Sequence, residues 1–167
     1  MKGPGTRTML RFLRKRLPLA LVAAAAVGML TSVALGTPGG GFTATLFTRD
    51  TMNDPVHMNA DRIKFETKDP SDFASQTITY QPGGYSGWHR HPGLVLVMVK
   101  SGAVTRYLAP DCHSITYSAG EAFIETGDDP VMQIRNEGSV PAELYVGYVV
   151  PKDVPLRIDE PAPACAS

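Results

Sequence analysis

The stretch PGGYSGWHRHPGLVLVMVKSG, residues 82–102, decides how this chain is expected to fold. It leads from a Gly-rich turn to His89 and His91, and then into the apolar run LVLVMVK. On a β-strand, side chains at i and i+2 point to the same face, so both imidazoles are expected to converge while Arg90 points away. Imidazole is the commonest ligand for transition metals. The pair therefore predicts a metal site, and the alternative is two histidines that serve as polar packing on a loop.

The chain after Gly41 consists of short runs that favour β-strands, separated by turn residues. The run LVLVMVK is continuous in apolar residues and is expected to be buried on both faces. Many short strands at near-regular spacing, without a helical period, favour an all-β sandwich or closed barrel. The predicted strands are 42–48, 62–67, 75–80, 94–100, 103–109, 114–117, 122–125, 131–136 and 142–150.

Residues 1–36 have the pattern of a targeting segment. They carry six basic residues and no acidic residue, and an almost uncharged apolar run extends from Leu17 to Leu35. A basic cluster stays on the cytoplasmic side while such a run enters the bilayer. The small residues Ala34 and Gly36 predict a signal peptide cleaved after Gly36. The alternative is an uncleaved membrane anchor at 17–35, because about 20 apolar residues span a bilayer. Both interpretations predict an exported protein.

The remaining chain divides into a flexible linker at 37–41, a β-barrel at 42–152 and a C-terminal tail at 153–167. From residue 37 onward there are ten basic and sixteen acidic residues. This balance gives no basic surface for a nucleic-acid partner, and none is predicted. In an oxidising compartment, Cys112 and Cys165 are expected to form a disulfide that pins the tail to the barrel. The alternative is two unpaired thiols.

The residues around the histidine pair resemble the first motif of the cupin superfamily, G-(x)5-H-x-H-(x)3–4-E-(x)6-G. Gly83 and Gly102 bracket the pair at the motif's distances, and residues 120–136 resemble the second cupin motif. The resemblance covers roughly residues 73–150. It implies a single jelly-roll β-barrel with the pair facing its lumen, here preceded by the N-terminal apolar helix. Cupins often pair as homodimers through edge strands, and the strand at 42–48 is a candidate edge.

Two of the four ligands of the usual cupin site are absent from these motifs. The glutamate of the first motif should fall at or beside Val95, and the third histidine should fall at Met132. The candidate additional ligands are Glu125, just before the second motif's turn, Met132 as a thioether, and His113, for which the alternative is a surface position in a turn. The cofactor expected from the resemblance is one divalent transition metal (Fe, Mn, Zn, Ni or Cu), and a Met ligand would favour a soft ion. The alternative is no metal, with Met132 filling a gap in the core.

Three side chains are candidates for lining the pocket, namely Trp88, Tyr80 and Val95. Trp88, beside the histidine pair, either stacks on a ligand at the barrel mouth or packs at its rim. Tyr80 either lines the cavity or belongs to the core. Arg106 and Arg135, isolated on strands, are expected to face solvent.

Three functions are consistent with this sequence. The first is an exported barrel that binds a small molecule or a weakly held metal. The second is a metal-dependent enzyme, resembling cupin dioxygenases or isomerases, that uses His89 and His91. The third is a structural envelope protein with a vestigial pocket. The two missing ligands favour the first and third over the second. A small-molecule ligand is the expected partner, together with the membrane if the segment at 17–35 is retained.

Overall fold

The computed structural model describes residue 1 and residues 36–166 of the chain, so the predicted N-terminal targeting helix lies outside the described residues. No helix in the described part of the chain reaches the length and apolarity needed to cross a bilayer. The strands are β1 Gly40–Met52, β2 His57–Ala60, β3 Ile63–Glu66, β4 Ser71–Tyr85, β5 His89–Arg90, β6 Leu94–Ser101, β7 Ala103–Leu108, β8 His113–Ser118, β9 Ala122–Glu125, β10 Met132–Arg135, β11 Ala142–Pro151 and β12 Ile158–Asp159, followed by a short 3₁₀ helix at Ala164–Ala166.

The strands form two antiparallel layers that enclose one core. The first layer has the order β1–β4–β11–β6–β9, and the second has the order β8–β7–β10–β5–β12. The layers are joined where Arg135 of β10 pairs with Tyr85 of β4. Among the described strands, β2 and β3 pair only with each other and form a separate two-stranded ribbon. Buried side chains from both layers form a single hydrophobic cluster. The predicted all-β barrel is confirmed.

A bulge in β4 carries the chain from one layer to the other. β1 pairs Phe42 with Tyr80 and Gly40 with Tyr85, so four residues of β4 lie opposite one residue of β1. Gly83, within this bulge, has a φ of 76°, which glycine adopts without steric cost. The Gly-rich segment at 82–84, expected to be a turn, instead lies inside β4 and bends it.

The run predicted to be buried on both faces forms β6, and that prediction is wrong. Val95, Val97 and Val99 are at most 4% exposed, whereas Leu96 and Met98 are 41% and 46% exposed. An antiparallel sheet commonly covers the core with one face and meets solvent with the other. Apolar residues on the outer face made this strand appear doubly buried in the sequence.

Cys112 and Cys165 form a disulfide, as predicted. Cys112 lies in the turn between β7 and β8, and Cys165 lies in the terminal 3₁₀ helix. The two cysteines are 53 residues apart, and closing a loop of this length stabilises the fold by about 3–4 kcal/mol by restricting the unfolded chain. The bridge attaches the end of the tail to the barrel.

Candidate metal centre

His89 and His91 lie directly after the bent end of β4, at the start of the second layer. Both side chains are buried, with 4% exposure each. Their ring centroids are 4.9 Å apart and the ring planes are nearly perpendicular, at 89°. Arg90 between them is directed elsewhere, and its Nε lies 2.6 Å from Oε1 of Glu160. The two imidazoles therefore share one side of the chain, facing the interior of the barrel.

Backbone carbonyls determine which nitrogen of each imidazole carries the proton. Nδ1 of His89 lies 3.0 Å from the carbonyl oxygen of Gly87, and Nδ1 of His91 lies 2.7 Å from that of Leu156. A carbonyl oxygen only accepts, so each Nδ1 donates and carries the proton. In the neutral ring this leaves the Nε2 lone pair free, which is how metal-binding histidines are usually held.

Glu125 brings a carboxylate to the same point from the end of β9. It is 2% exposed, and its Oε2 lies 3.1 Å from Nε2 of His91. The potential ligand atoms of His89, His91 and Glu125 all lie within 4.8 Å of one another. Two ligands at about 2.1 Å from one ion are at most about 4.2 Å apart, so small side-chain rotations suffice to close around a metal.

The short distance between His91 and Glu125 fits a bound cation. With Nδ1 protonated on a neutral ring, Nε2 of His91 and Oε2 of Glu125 are both hydrogen-bond acceptors, and two acceptors at 3.1 Å repel each other. A cation or an additional proton removes that repulsion. Oε1 of Glu125 is also buried, and it has no hydrogen-bond partner among the described residues. The donor set therefore fits a divalent transition metal.

The position of Glu125 accounts for the glutamate missing from the first motif. That glutamate was expected at or beside Val95 in β6, and Val95 pairs directly with Glu125 in β9. Paired residues on adjacent antiparallel strands have Cβ atoms about 4.5–5.5 Å apart. A carboxylate on the neighbouring strand thus reaches the region that the first-motif glutamate would have occupied.

Arg106 lies beside Glu125 and is buried, which corrects the expectation that it faces solvent. Its side chain is 8% exposed, with Nε 3.5 Å from Oε1 of Glu125 and Nη2 2.7 Å from Oδ2 of Asp129. A buried guanidinium needs paired charges, and Asp129 supplies the closer one. Arg135, by contrast, is 42% exposed and pairs with Glu137.

Burial sets the protonation of the titratable side chains around the site. Burial, together with the nearby charge of Arg157, lowers the pKa of His89 to about 3. His89 is therefore neutral at neutral pH, the state that a metal ligand requires. Burial also raises the pKa of the Tyr80 and Tyr148 hydroxyls, so both phenols stay uncharged.

The three side chains border a cavity of about 430 Å³ inside the barrel. Its wall is mostly apolar, and it includes Tyr80 and Val95 of the predicted pocket residues. Trp88 is 4% exposed and borders a different cavity, which also contacts the disulfide. Met132 is fully buried and pairs in register with His89.

Three residues of the C-terminal tail border the cavity, and sequence reasoning missed all of them. They are Leu156, whose carbonyl oxygen accepts from His91, Arg157 and Asp159. Arg157 donates from Nη2 to the carbonyl of Ser86 at 2.5 Å and from Nε to Asp159 at 2.5 Å. Its Nη1 makes no hydrogen bond within the described chain. The alternation of apolar and charged residues from Leu156 to Asp159 was the available signal for a short strand here.

A two-layered antiparallel barrel with a His-x-His pair facing its cavity defines a cupin-type protein. The chain belongs to the cupin superfamily, and residues 76–150 match the model of the cupin domain family. A comparison with curated proteins gave no match.

Solved structures of similar fold include other cupin domains. A cupin-2 domain from Rhodospirillum rubrum is 12% identical, with a TM-score of 0.49, and the match covers 74% of this chain and 68% of that one. A cupin domain from Bordetella pertussis is 14% identical, with a TM-score of 0.46, and the match covers 69% of this chain and 97% of that one. An oxalate oxidase in complex with the substrate analogue glycolate is 22% identical, with a TM-score of 0.40, covering 45% of this chain and 40% of the oxidase. This chain thus spans well under half of the oxidase.

Proposed function

We propose that this protein is an exported cupin that binds one divalent transition metal through His89, His91 and Glu125 and holds a small organic ligand beside it. The observation that carries the proposal is the convergence of these three side chains within 4.8 Å, all of them buried. Two imidazoles alone hold such ions weakly, and the carboxylate supplies both a third ligand and a negative charge.

The cavity beside the three ligands supports a small, largely apolar ligand. Its volume of about 430 Å³ lies within the range of small-molecule sites, and most of its wall is aliphatic or aromatic. Arg157 and Asp159, whose side chains pair at 2.5 Å, are both part of this wall, and Nη1 of Arg157 has no hydrogen-bond partner among the described residues. A guanidinium nitrogen in that position favours an acidic group on the ligand. The ligand we propose is a small organic acid with an apolar body.

Export is supported by two independent features. The basic and apolar pattern of residues 1–36 is typical of a signal peptide or membrane anchor. The Cys112–Cys165 disulfide is typical of an oxidising compartment.

Metal content tests the proposed function. The protein, produced with its disulfide formed, is reconstituted separately with Fe, Mn, Zn, Ni and Cu, and bound metal is measured by mass spectrometry. We expect one ion per chain for at least one metal, and its loss in His89→Ala/His91→Ala. His57→Ala/His113→Ala is the matched control, because both of these histidines are exposed, and it should bind as the wild type does. No stoichiometric metal in any reconstitution, or equal metal in the His89/His91 variant, contradicts the proposal.

A second candidate function is a metal-dependent enzyme of the dioxygenase or isomerase type. The observation that favours it is the donor set itself, since two histidines and one carboxylate leave coordination positions open for a substrate. When bound, such a metal supplies Lewis-acid or redox chemistry. Here Glu125 and the histidine pair would hold it, and the apolar wall would exclude water. Turnover of a small organic acid by the loaded protein, absent from His89→Ala/His91→Ala, would favour this function over binding alone.

A further inference from the structure

The C-terminal tail, residues 153–166, crosses the segment that carries both histidines. Within it, β12 pairs with β5, with Ile158 opposite Arg90 and Asp159 opposite His89. Two further bonds lie beside this pairing. Glu160 donates its amide to the carbonyl of Trp88 at 2.9 Å and accepts from Nε of Arg90 at 2.6 Å. The tail is therefore the strand neighbour of the candidate metal centre.

The tail also supplies contacts that orient the site. The Leu156 carbonyl accepts from Nδ1 of His91 at 2.7 Å, which fixes both the tautomer and the direction of that ring. Arg157 donates to the carbonyl of Ser86, and the Ser86 hydroxyl lies 3.4 Å from Nδ1 of His89. His89 has its own acceptor outside the tail, the carbonyl of Gly87. The tail thus holds His91 directly and His89 only indirectly.

The disulfide covalently attaches the far end of this tail to the barrel. Cys165 at its far end is bonded to Cys112, in the turn between β7 and β8. A short edge strand of two residues is weakly held by its own backbone bonds, and such segments open locally when they lose an anchor. Opening of the tail removes the Leu156 carbonyl from His91.

We propose that the tail is part of the metal centre, with Leu156 as a positioning residue for His91, and that the Cys112–Cys165 disulfide sets the metal affinity by keeping the tail docked. This inference rests on the proposed function, because it concerns the same ion. A dithiol reductant can release the tail: it gives two electrons and two protons to the S–S bond, yields two thiols, and is itself oxidised to a disulfide. Loss of an outer partner of a metal-binding histidine typically weakens binding by about 10–100-fold.

The test compares metal affinity in the full chain with and without the disulfide. Wild type and Cys112→Ser/Cys165→Ser are titrated with Co²⁺ against a chromophoric chelator. Serine is used because free thiols would themselves bind metal. We expect one ion per chain in both proteins, with about 10–100-fold weaker binding in the serine variant. Val99→Ala is the control for general destabilisation, because Val99 is buried in the core and absent from the cavity wall, and it should bind as wild type does.

A second readout separates positioning from stability. Nuclear magnetic resonance of the metal-free protein measures how fast the imidazole Nδ1–H protons exchange with solvent. The proton of His91 should exchange slowly in wild type and rapidly in the serine variant. The Nδ1–H proton of His89 should stay protected in both proteins, because Gly87 lies outside the tail. Equal Co²⁺ affinity in wild type and serine variant, or equal protection of His91, overturns this inference alone. No Co²⁺ binding by wild type, together with no binding of the other metals, overturns the proposed function and this inference with it.

Discussion

The contact between the side chains of His91 and Glu125 is the feature on which the proposed metal site depends. Its two facing atoms are 3.1 Å apart, and the opposite nitrogen of the ring already donates to a backbone carbonyl. Two buried acceptors are unfavourable at that distance unless positive charge lies between them. Arg106 does not lie between these two atoms, because its Nε contacts the other carboxylate oxygen, Oε1 of Glu125, at 3.5 Å. A metal cation or a proton on Nε2 would remove this repulsion, so the contact is compatible with a bound cation.

Replacing the carboxylate should abolish most of this affinity. We expect Glu125→Gln to bind metal more weakly by at least the roughly 10–100-fold typical of losing an outer partner, since a ligand and its charge are both removed. Isothermal titration with the metal identified by reconstitution measures the change. Glu121→Gln, an exposed carboxylate next to β9, is the control and should bind as wild type does. Unchanged affinity in Glu125→Gln would remove the carboxylate from the site.

The sequence predicted part of this site for clear physical reasons. The alternation of side chains along a strand was enough to place His89 and His91 on one side of the chain. Glu125 was a candidate ligand, but its neighbourhood depends on the pairing of β9 with β6, and sequence does not specify that register. Arg106 was expected to face solvent because it is isolated on its strand, and its partner Asp129 lies 23 residues away along the chain.

At the scale of elements, β1 is held to β4 by one buried carboxylate as well as by the strand ladder. Asp72 accepts from Thr51 at 2.7 Å, from Nη2 of Arg49 at 2.6 Å and from the amide of Asp153 at 3.1 Å. It therefore joins β1, β4 and the start of the C-terminal tail. The hydrogen bonds from Thr51, Arg49 and the Asp153 amide lower the pKa of Asp72 to about 2.

Ionised Asp72 should stabilise the folded barrel, so the free energy of unfolding should fall as the pH is lowered through the acidic range. Its folded pKa lies below the unfolded value of about 3.9, so its contribution is complete above about pH 5 and is lost as the pH falls from about 4 towards 2. Urea unfolding at several pH values measures the free energy of unfolding. At pH 6 this free energy should be larger for wild type than for Asp72→Asn, and the difference between the two proteins should shrink towards pH 2. Asp54 is an exposed carboxylate, so Asp54→Asn should leave the dependence of the unfolding free energy on pH unchanged. A difference between wild type and Asp72→Asn that stays constant with pH would contradict this role of Asp72.

The strands were easier to predict than their faces and ends. All nine predicted runs coincide with strands, since β-branched and aromatic runs between turn residues are a strong local signal. Three strands were missed, namely β2, β5 and β12, and each has only two to four residues. Runs that short have no measurable period. Their strand character comes from pairing with distant segments.

At the scale of the whole molecule, the candidate centre is assembled from parts far apart in the chain. His89 lies in β5 and His91 directly after it, the carboxylate comes from β9, and the orienting carbonyl comes from the tail that the disulfide secures. The bulge of β4 brings the first of these parts from one layer to the other. A folded barrel is therefore required for the site, and the unfolded chain has no comparable group of ligands.

The most direct test of the central claim is an anomalous diffraction measurement on crystals of the metal-loaded protein, recorded at the absorption edge of the bound metal. We expect one strong peak at about 2.0–2.2 Å from Nε2 of His89, Nε2 of His91 and an oxygen of Glu125. A peak at any other place, or no peak at this position in crystals saturated with metal, would contradict it.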